Sequence, residues 1–288
     1  MLVTSDPTSS TVPTGTLDPV HFGIVLPAHD EEQLLPSALG ALSRATGHVS
    51  DVPVVVGITI VLDACTDRSR DIVTAWQQQA GPIVPGPVDI VETDVGNVGR
   101  ARRIGFERLL RGWSATKGKD IWLATTDADS EVPRNWISSQ LAVRRAGGQV
   151  WAGSVSVGDW SGRAPGTAEL WTEADEAELL PVHGANFGIE AALYVAAGGF
   201  APLPTGEDRD LFERVVGLGA VIGHDPAAKV VTSSRRVARA PGGFAHALTS
   251  LETLLPSMTQ GARRTASGAH GARPAIGQSD MTLLLESS

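Results

Sequence analysis

Four times before residue 147, a short apolar segment is followed by a longer one whose apolar residues recur at helical spacing. That alternation limits the fold more than any other feature of the chain. Phe22–Pro27 reads as a buried strand, and Glu32–Arg44 as a helix carrying Leu34, Leu35, Leu39 and Leu42. The pairing repeats as Val54–Leu62 with Asp67–Gln79, and as Val88–Glu92 with Gly99–Leu110. It repeats again as Ile121–Thr126 with Pro133–Ala146, where a proline opens the helix. Strands that are apolar throughout are buried on both faces, and strands separated by helices build βαβ units. The expectation is an α/β fold with a doubly wound, mostly parallel sheet. Past Val150 the pattern loosens, although Asp208–Leu218 is helical and Val230–Ser233 reads as a strand.

The 288 residues are enough for a sizeable core, with 42% hydrophobic and 19% charged residues. A net charge of −9 argues against nucleic acid or an anionic membrane as partner. Cys65 is the single cysteine, which excludes a disulfide framework and a CxxC zinc site and fits a reducing cytoplasm. No basic residue precedes Arg44, so no secretory leader is expected, and no apolar run approaches the length of a transmembrane segment. Residues 1–20, rich in Ser, Thr and Pro, read as a disordered tail, and 256–288 as a low-complexity, flexible one. One domain over 21–255 is expected between them.

In an open α/β sheet, ligands bind outside the carboxyl ends of the strands. Polar clusters stand there: His29-Asp30-Glu31-Glu32, then Asp63 to Asp67, then Asp127-Ala128-Asp129-Ser130. The dinucleotide G-x-G-x-x-G, the P-loop, the G-x-S-x-G elbow and H-E-x-x-H are all missing. Asp127 and Asp129 are two residues apart at a strand end, so both carboxylates can face one ion. Hard oxygen ligands suit Mg²⁺ or Mn²⁺, which leave coordination positions for substrate phosphates. The same spacing also suits an N-cap, with Asp129 or Ser130 opening the following helix.

Val25-Leu26-Pro27-Ala28-His29-Asp30-Glu31-Glu32 resembles the opening motif of family 2 glycosyltransferases of the GT-A fold. Ile60 to Asp67 resembles their nucleotide-binding strand end, and Gly96 to Gly105 their "N-x-G…AR-N-x-G" segment. Asp127-Ala128-Asp129 is similar to their D-x-D, and His183 to Gly188 with Gly198-Gly199-Phe200 to their acceptor-side "G-x-N…GGF". Gly206 to Leu211 is similar to "E-D-x-d-L". Together these six segments, in family order, imply a nucleotide-binding half over about 21–130 and an acceptor half over about 131–255.

The resemblance implies a nucleoside-diphosphate-sugar donor, a divalent cation, an acceptor hydroxyl and transfer of a single hexose with inversion. Asp63 would contact the nucleoside; its other reading is a turn Asp capping the helix after Thr66. Pro27, Ala28, Asp30, Glu32, Gly99, Arg102 and Ala128 would border the donor, with Asp127 and Asp129 on the metal. Glu31 and Glu32 read equally well as first-turn helix acids. Arg100, Arg102 and Arg103 cannot all face one ligand, since neighbours on a helix diverge by roughly 100°; Arg102 is favoured. Asp208 would be the base, supported by Glu207, with helix capping as the alternative. His224 is a candidate third metal ligand, His183 an acceptor neighbour, and Trp160 or Trp171 a sugar-stacking ring, whereas Trp122 and Trp136 read as core. Arg235, Arg236 and Arg239 would bind the diphosphate or an acidic acceptor, or form a solvated basic turn. The Q-x-x-R-W motif and membrane helices of processive synthases are missing, which points away from polymer synthesis.

The rival readings are a haloacid-dehalogenase-like phosphatase, a GT-A-like nucleotidyltransferase and a non-catalytic nucleotide-sugar-binding domain. The phosphatase also uses a strand ending in D-x-D-[ST]. Its motif normally stands near the N-terminus with a later Lys and acidic pair; here only Lys229 follows.

Overall fold

A computed structural model describes residues 19–49, 53–80, 86–114, 120–177, 182–236 and 244–265. The expected βα alternation is present. In order come β1 (Val20–Ala28), α1 (Leu35–Thr46), β2 (Val54–Asp63), α2 (Ser69–Ala80), β3 (Val88–Thr93), α3 (Val98–Gly112) and β4 (Ile121–Thr125). The second half adds β5 (Ser130–Glu131), α4 (Trp136–Arg145), β6 (Val150–Ala152), β7 (Val155–Val157) and α5 (Thr167–Ala177). It continues with a single 3₁₀ turn (Gly184–Asn186), β8 (Phe187–Glu190), α6 (Ala191–Ala196) and α7 (Glu207–Gly217). Last come β9 (Ile222–Gly223), β10 (Val230–Thr232) and α8 (Phe244–Thr265).

Seven strands form one sheet in the order β3-β2-β1-β4-β8-β6-β9. Neighbours from β3 to β4 are parallel, and β8 runs antiparallel to both β4 and β6. A small second sheet, β5-β10-β7, lies at the end where β4 finishes. The β1 residues divide between two cores, as a period of two requires. Phe22, Ile24 and Leu26 pack with Leu35, Leu39, Leu42 and Trp136, while Val25 joins Val61, Phe106, Leu109 and Phe200 on the other face. Gly23 and Gly57 are partners in the β1–β2 register, and a methyl on either would run into Leu109 or Trp113. The two glycines let α3 lie close against the sheet.

Several sequence expectations shift. The helix expected from Glu32 begins at Leu35, so Glu31 and Glu32 are not its first-turn acids. The helix after β4 is capped at Asn135, so Asp129 and Ser130 do not cap it. The boundary placed at residue 255 falls inside α8, which runs on to Thr265. Residues 1–18 and 266–288, the rest of the two expected tails, lie outside the described residues. No helix among the described residues is long and apolar enough to cross a membrane.

Candidate active site

The carboxyl ends of β1, β2 and β4, the start of α7 and the segment after β10 enclose a cavity of about 460 Å³. Pro27, Ala28, Asp63, Arg102, Asp127, Ala128, Asp129, Glu207 and Asp208 all line it. Asp30, Glu32, Gly99 and His224 do not.

Asp63 closes β2, and its carboxylate accepts the backbone N–H groups of Val95 (2.8 Å), Gly96 (3.1 Å) and Asn97 (3.1 Å). It therefore shapes the loop leading into α3 rather than capping the helix after Thr66. Asp30 does that work: its carboxylate accepts from the Thr66 and Asp67 amides, and Asp67 in turn accepts from the amide of Ser69, where α2 begins. These hydrogen bonds, led by the one from Thr66, hold the Asp30 carboxyl below its usual pKa. Glu32 accepts from the Arg68 amide. Both acids tie the β1–α1 loop to the segment leading into α2, a role that their position in the opening motif did not reveal.

Arg102 is the centre of the cavity's charge network. It is buried on α3, donates to Asp127 at 2.6 Å and to Glu207, and lies over the Phe200 ring. Burial opposes its charge, but the Asp127 and Glu207 carboxylates outweigh burial and hold its pKa above the usual value. Burial pushes the Glu207 carboxyl up, against the pull of Arg102. Gly99, although outside the cavity, permits this contact: a methyl there would strike the Ala201 carbonyl and the Glu207 side chain. Arg103, one residue further on, pairs instead with Glu107 and the Gly198 and Phe200 carbonyls.

Asp129 faces Arg235 at 3.0 Å, and the same guanidinium also holds Glu31. Burial pushes the Asp129 carboxyl up to about 6, with Arg235 opposing. Nothing at sequence level joined Glu31 to a residue some two hundred positions away. Arg235 is held from behind by Arg163, whose fully buried side chain donates to the Ser234 carbonyl (2.7 Å), the Arg235 carbonyl and Thr249 Oγ1 (3.0 Å). Arg236 points away to Glu252 and the Gly162 carbonyl, and Arg239 lies outside the described residues.

Asp208 stands in the first turn of α7. Its Oδ2 accepts the Gly184 N–H at 2.6 Å and its Oδ1 the Arg209 N–H at 2.8 Å. His183 precedes Gly184 and also lines the cavity. The Asn186 side chain, fully buried, accepts from Trp136 and Trp151 Nε1 (both 2.8 Å) and donates to the Ser154 and Ala228 carbonyls. This hub fixes the turn that presents Gly184 to Asp208. Trp171 lines the cavity beside Phe244, with ring centroids 4.8 Å apart, whereas Trp160 packs against the core. His224 lies against Trp151 and its Nδ1 meets the Ala152 carbonyl at 3.0 Å. With Asp127 and Asp129 it makes no group whose ligand atoms lie within 4.8 Å of one another; among the described residues the trio that does is Asp30, Cys65 and Asp67.

The cavity thus lies outside the carboxyl ends of the strands, where open α/β sheets bind their ligands. The family model "Glycosyl transferase family 2" matches residues 23–169, and the chain belongs to that family and is a glycosyltransferase. No curated protein matches the sequence. Among solved structures, it is similar to residues 1–349 of TarS from S. aureus, with 13% identity over 93% of this chain and 70% of that one, at TM-score 0.52. The same TarS fragment with UDP gives 15% identity over 81% and 65%, at TM-score 0.52. The mannosyltransferase PcManGT from Pyrobaculum calidifontis, solved with GDP-Man and Mn²⁺, gives 15% over 92% and 78%, at TM-score 0.51. The chain spans 42% of the longer TarS chain. At these identities the likeness concerns the fold, which is the GT-A arrangement.

Proposed function

We propose that this glycosyltransferase transfers a single sugar from a nucleoside-diphosphate sugar to an acceptor hydroxyl, with a divalent cation and with inversion. The observation that carries the reading is the convergence of Asp127, Asp129 and Asp208 on one cavity, with Arg102 linking the end of β4 to the start of α7. The neighbouring structures solved with UDP and with GDP-Man and Mn²⁺ support a nucleotide donor and a metal.

Asp127 and Asp129 fit a hard divalent cation: both offer carboxylate oxygens to the same cavity, and Mg²⁺ or Mn²⁺ needs few protein ligands beside a diphosphate. Each is matched to an arginine, so the cation would enter by loosening those pairs. When bound, it would stabilise negative charge on the departing diphosphate. Asp63 and the loop it shapes border the nucleoside end, and Arg235 offers a guanidinium to phosphate oxygens. Asp208 is the base. A lone pair not used by the Gly184 and Arg209 amides takes the acceptor hydroxyl's proton as that oxygen attacks C1 opposite the leaving group. Glu207, through Arg102, keeps α7 in register with β4.

A thermal-shift panel of UDP, GDP, TDP, CDP and their sugars, with and without Mn²⁺, tests the donor side. A ligand at 100 times its dissociation constant adds about 2.7 kcal/mol, which is several degrees for a chain of this size. One nucleotide must give a Mn²⁺-dependent shift that is lost when Asp127→Asn and Asp129→Asn are combined. NMR of the product tests inversion: an α-linked product from an α-linked donor removes Asp208 from its role.

A further inference from the structure

We infer that Arg163, which does not line the cavity, is a positioning residue for the reaction. It anchors the main chain at Arg235, so that the Arg235 guanidinium alone moves when it exchanges Asp129 for the donor's diphosphate. The inference deepens the donor and cation reading above and rests on it.

The partners of Arg163 are the first ground. A guanidinium carries five N–H donors, stays charged, and is costly to bury without acceptors. The Arg163 side chain is fully buried in the turn between β7 and α5. Its Nε donates to the Ser234 carbonyl at 2.7 Å, and its Nη2 to the carbonyls of Arg235 and, at 3.4 Å, Ala245. Its Nη1 meets Thr249 Oγ1 at 3.0 Å and Glu252 at 3.7 Å. One side chain therefore fastens two consecutive carbonyls, at Ser234 and Arg235, to three positions of α8.

The contrast between the Arg235 main chain and its side chain is the second ground. Ser234 Oγ donates to the Asp159 carbonyl, and Arg236 reaches back to the Gly162 carbonyl at 2.6 Å and to Glu252 at 3.3 Å. Upstream, Thr232 on β10 pairs with Ser130 on β5, with their hydroxyls 2.9 Å apart, and Ser130 directly follows Asp129. The backbone under Arg235 is thus fixed relative to Asp129. Its side chain is a quarter exposed and ends on Glu31 and Asp129. A cation reaches Asp129 only when that guanidinium leaves, and the diphosphate that accompanies the cation offers it a new anionic partner. With the main chain held, the exchange is a side-chain rotation. With it loose, ordering the segment opposes binding.

The test uses the full chain and two titrations. One follows Mn²⁺ alone, by the EPR signal of the free ion. The other follows, by calorimetry at saturating Mn²⁺, whichever of UDP, GDP, TDP and CDP gives the Mn²⁺-dependent thermal shift. Arg235→Ala should tighten Mn²⁺ alone about 3- to 10-fold, by freeing Asp129, and weaken the nucleotide about 3- to 10-fold, by removing its partner. Arg163→Ala should move the two affinities in those same opposite directions, and should add nothing to either in the Arg235→Ala background. Arg163→Lys keeps a charge beside Glu252 but not the fork onto two carbonyls; it should show the same pair of shifts and replaces Arg163→Ala if that variant does not fold. A folded Arg163 variant that is less stable but has both affinities unmoved overturns the inference. So does an effect that adds to that of Arg235→Ala, or an Arg235→Ala that moves neither affinity. A wild-type chain that binds no nucleotide removes the donor reading, and this inference falls with it; failure in the variants alone leaves that reading standing.

Discussion

The two sides of the cavity are built by different means. On the proposed donor side, each candidate carboxylate stands at or just past the end of a strand: Asp63 closes β2, and Asp127 and Asp129 follow β4. The strands are paired in a parallel register over many residues, and local backbone amides hold Asp63 in place. On the proposed acceptor side, His183, Asp208, Arg235 and Phe244 arrive from four separate segments of the chain. There the positioning falls to buried polar side chains, Asn186 and Arg163, that reach across the chain. The family match ends at residue 169, close to the point where construction changes. A site whose chemistry sits on strand ends is set by local sequence; one assembled from loops is set by long-range hydrogen bonds. Arg102 joins the two sides.

The widest separation between the sides is expected from Asp208→Asn. Removing the proposed base should lower transfer by about 10²- to 10⁴-fold, while nucleotide affinity, a property of the proposed donor side, stays within about twofold. Initial rates and calorimetric titration of nucleotide with Mn²⁺ check this. A parallel loss of nucleotide affinity would mean that the sides are not separable.

Arg102→Ala should damage both sides at once. It leaves the buried Glu207 and the Asp127 carboxylate without their cation, and breaking a buried pair of this kind costs about 3–5 kcal/mol. Urea denaturation is the measurement. A cost under about 1 kcal/mol would show that water replaces the guanidinium and that Arg102 is not the joint.

The donor side should respond to mild acid through Asp129. With its carboxyl pushed up to about 6 from an ordinary 3.8, Asp129 keeps its proton in the folded protein at pH values where the unfolded chain has lost it. Its contribution therefore favours the fold at low pH and is lost as pH rises from about 4 to about 6. Metal binding needs the ionised form and runs the other way: Mn²⁺-dependent nucleotide affinity should fall about tenfold at pH 5 relative to its plateau. In Asp129→Asn this pH dependence should vanish. A flat profile in the unaltered protein would place Asp129 outside the metal site.

The same division decides what could be read from the sequence. Three of the four βα pairs were legible because strands buried on both faces are apolar throughout and because their helices keep a clear period; the edge strand β3, which carries Asp89 and Glu92, is only half-buried. The strands β6, β8 and β9 were not, since two to four residues leave no periodicity to detect and β8 pairs antiparallel with β4 and β6. Asp63, Arg102, Asp127, Asp129 and Asp208 could be singled out from motif and position, and the structure brings them to one cavity. Asp30 and Glu32 stood in the same opening motif, yet their carboxylates are used by amides of the segment just before α2, a contact between segments that motif spacing does not encode. The Glu31–Arg235 bridge and the work of Arg163 depend on how α8 and the segment after β10 close over the sheet. A histidine just before a strand, as His224 is, has no spacing that separates a metal ligand from a ring bonded to a carbonyl, and here its Nδ1 meets the Ala152 carbonyl.

The smallest expected effect is the sharpest control on the joint between the sides. Arg103 is the neighbour of Arg102 on α3, carries the same charge and is separated from it by one helical step of roughly 100°. Its side chain is half exposed, pairs with Glu107 at 3.1 Å within the same helix, and touches the Gly198 and Phe200 carbonyls at 3.3 and 3.5 Å. An exposed pair of this kind is worth about 0.2–1 kcal/mol. Arg103→Ala should therefore shift the urea midpoint only slightly and leave both nucleotide affinity and transfer rate unchanged. If it matched Arg102→Ala in either measurement, the effect of Arg102 would be one of helix charge rather than of its bridge between Asp127 and Glu207. The two sides of the cavity would then need a different link.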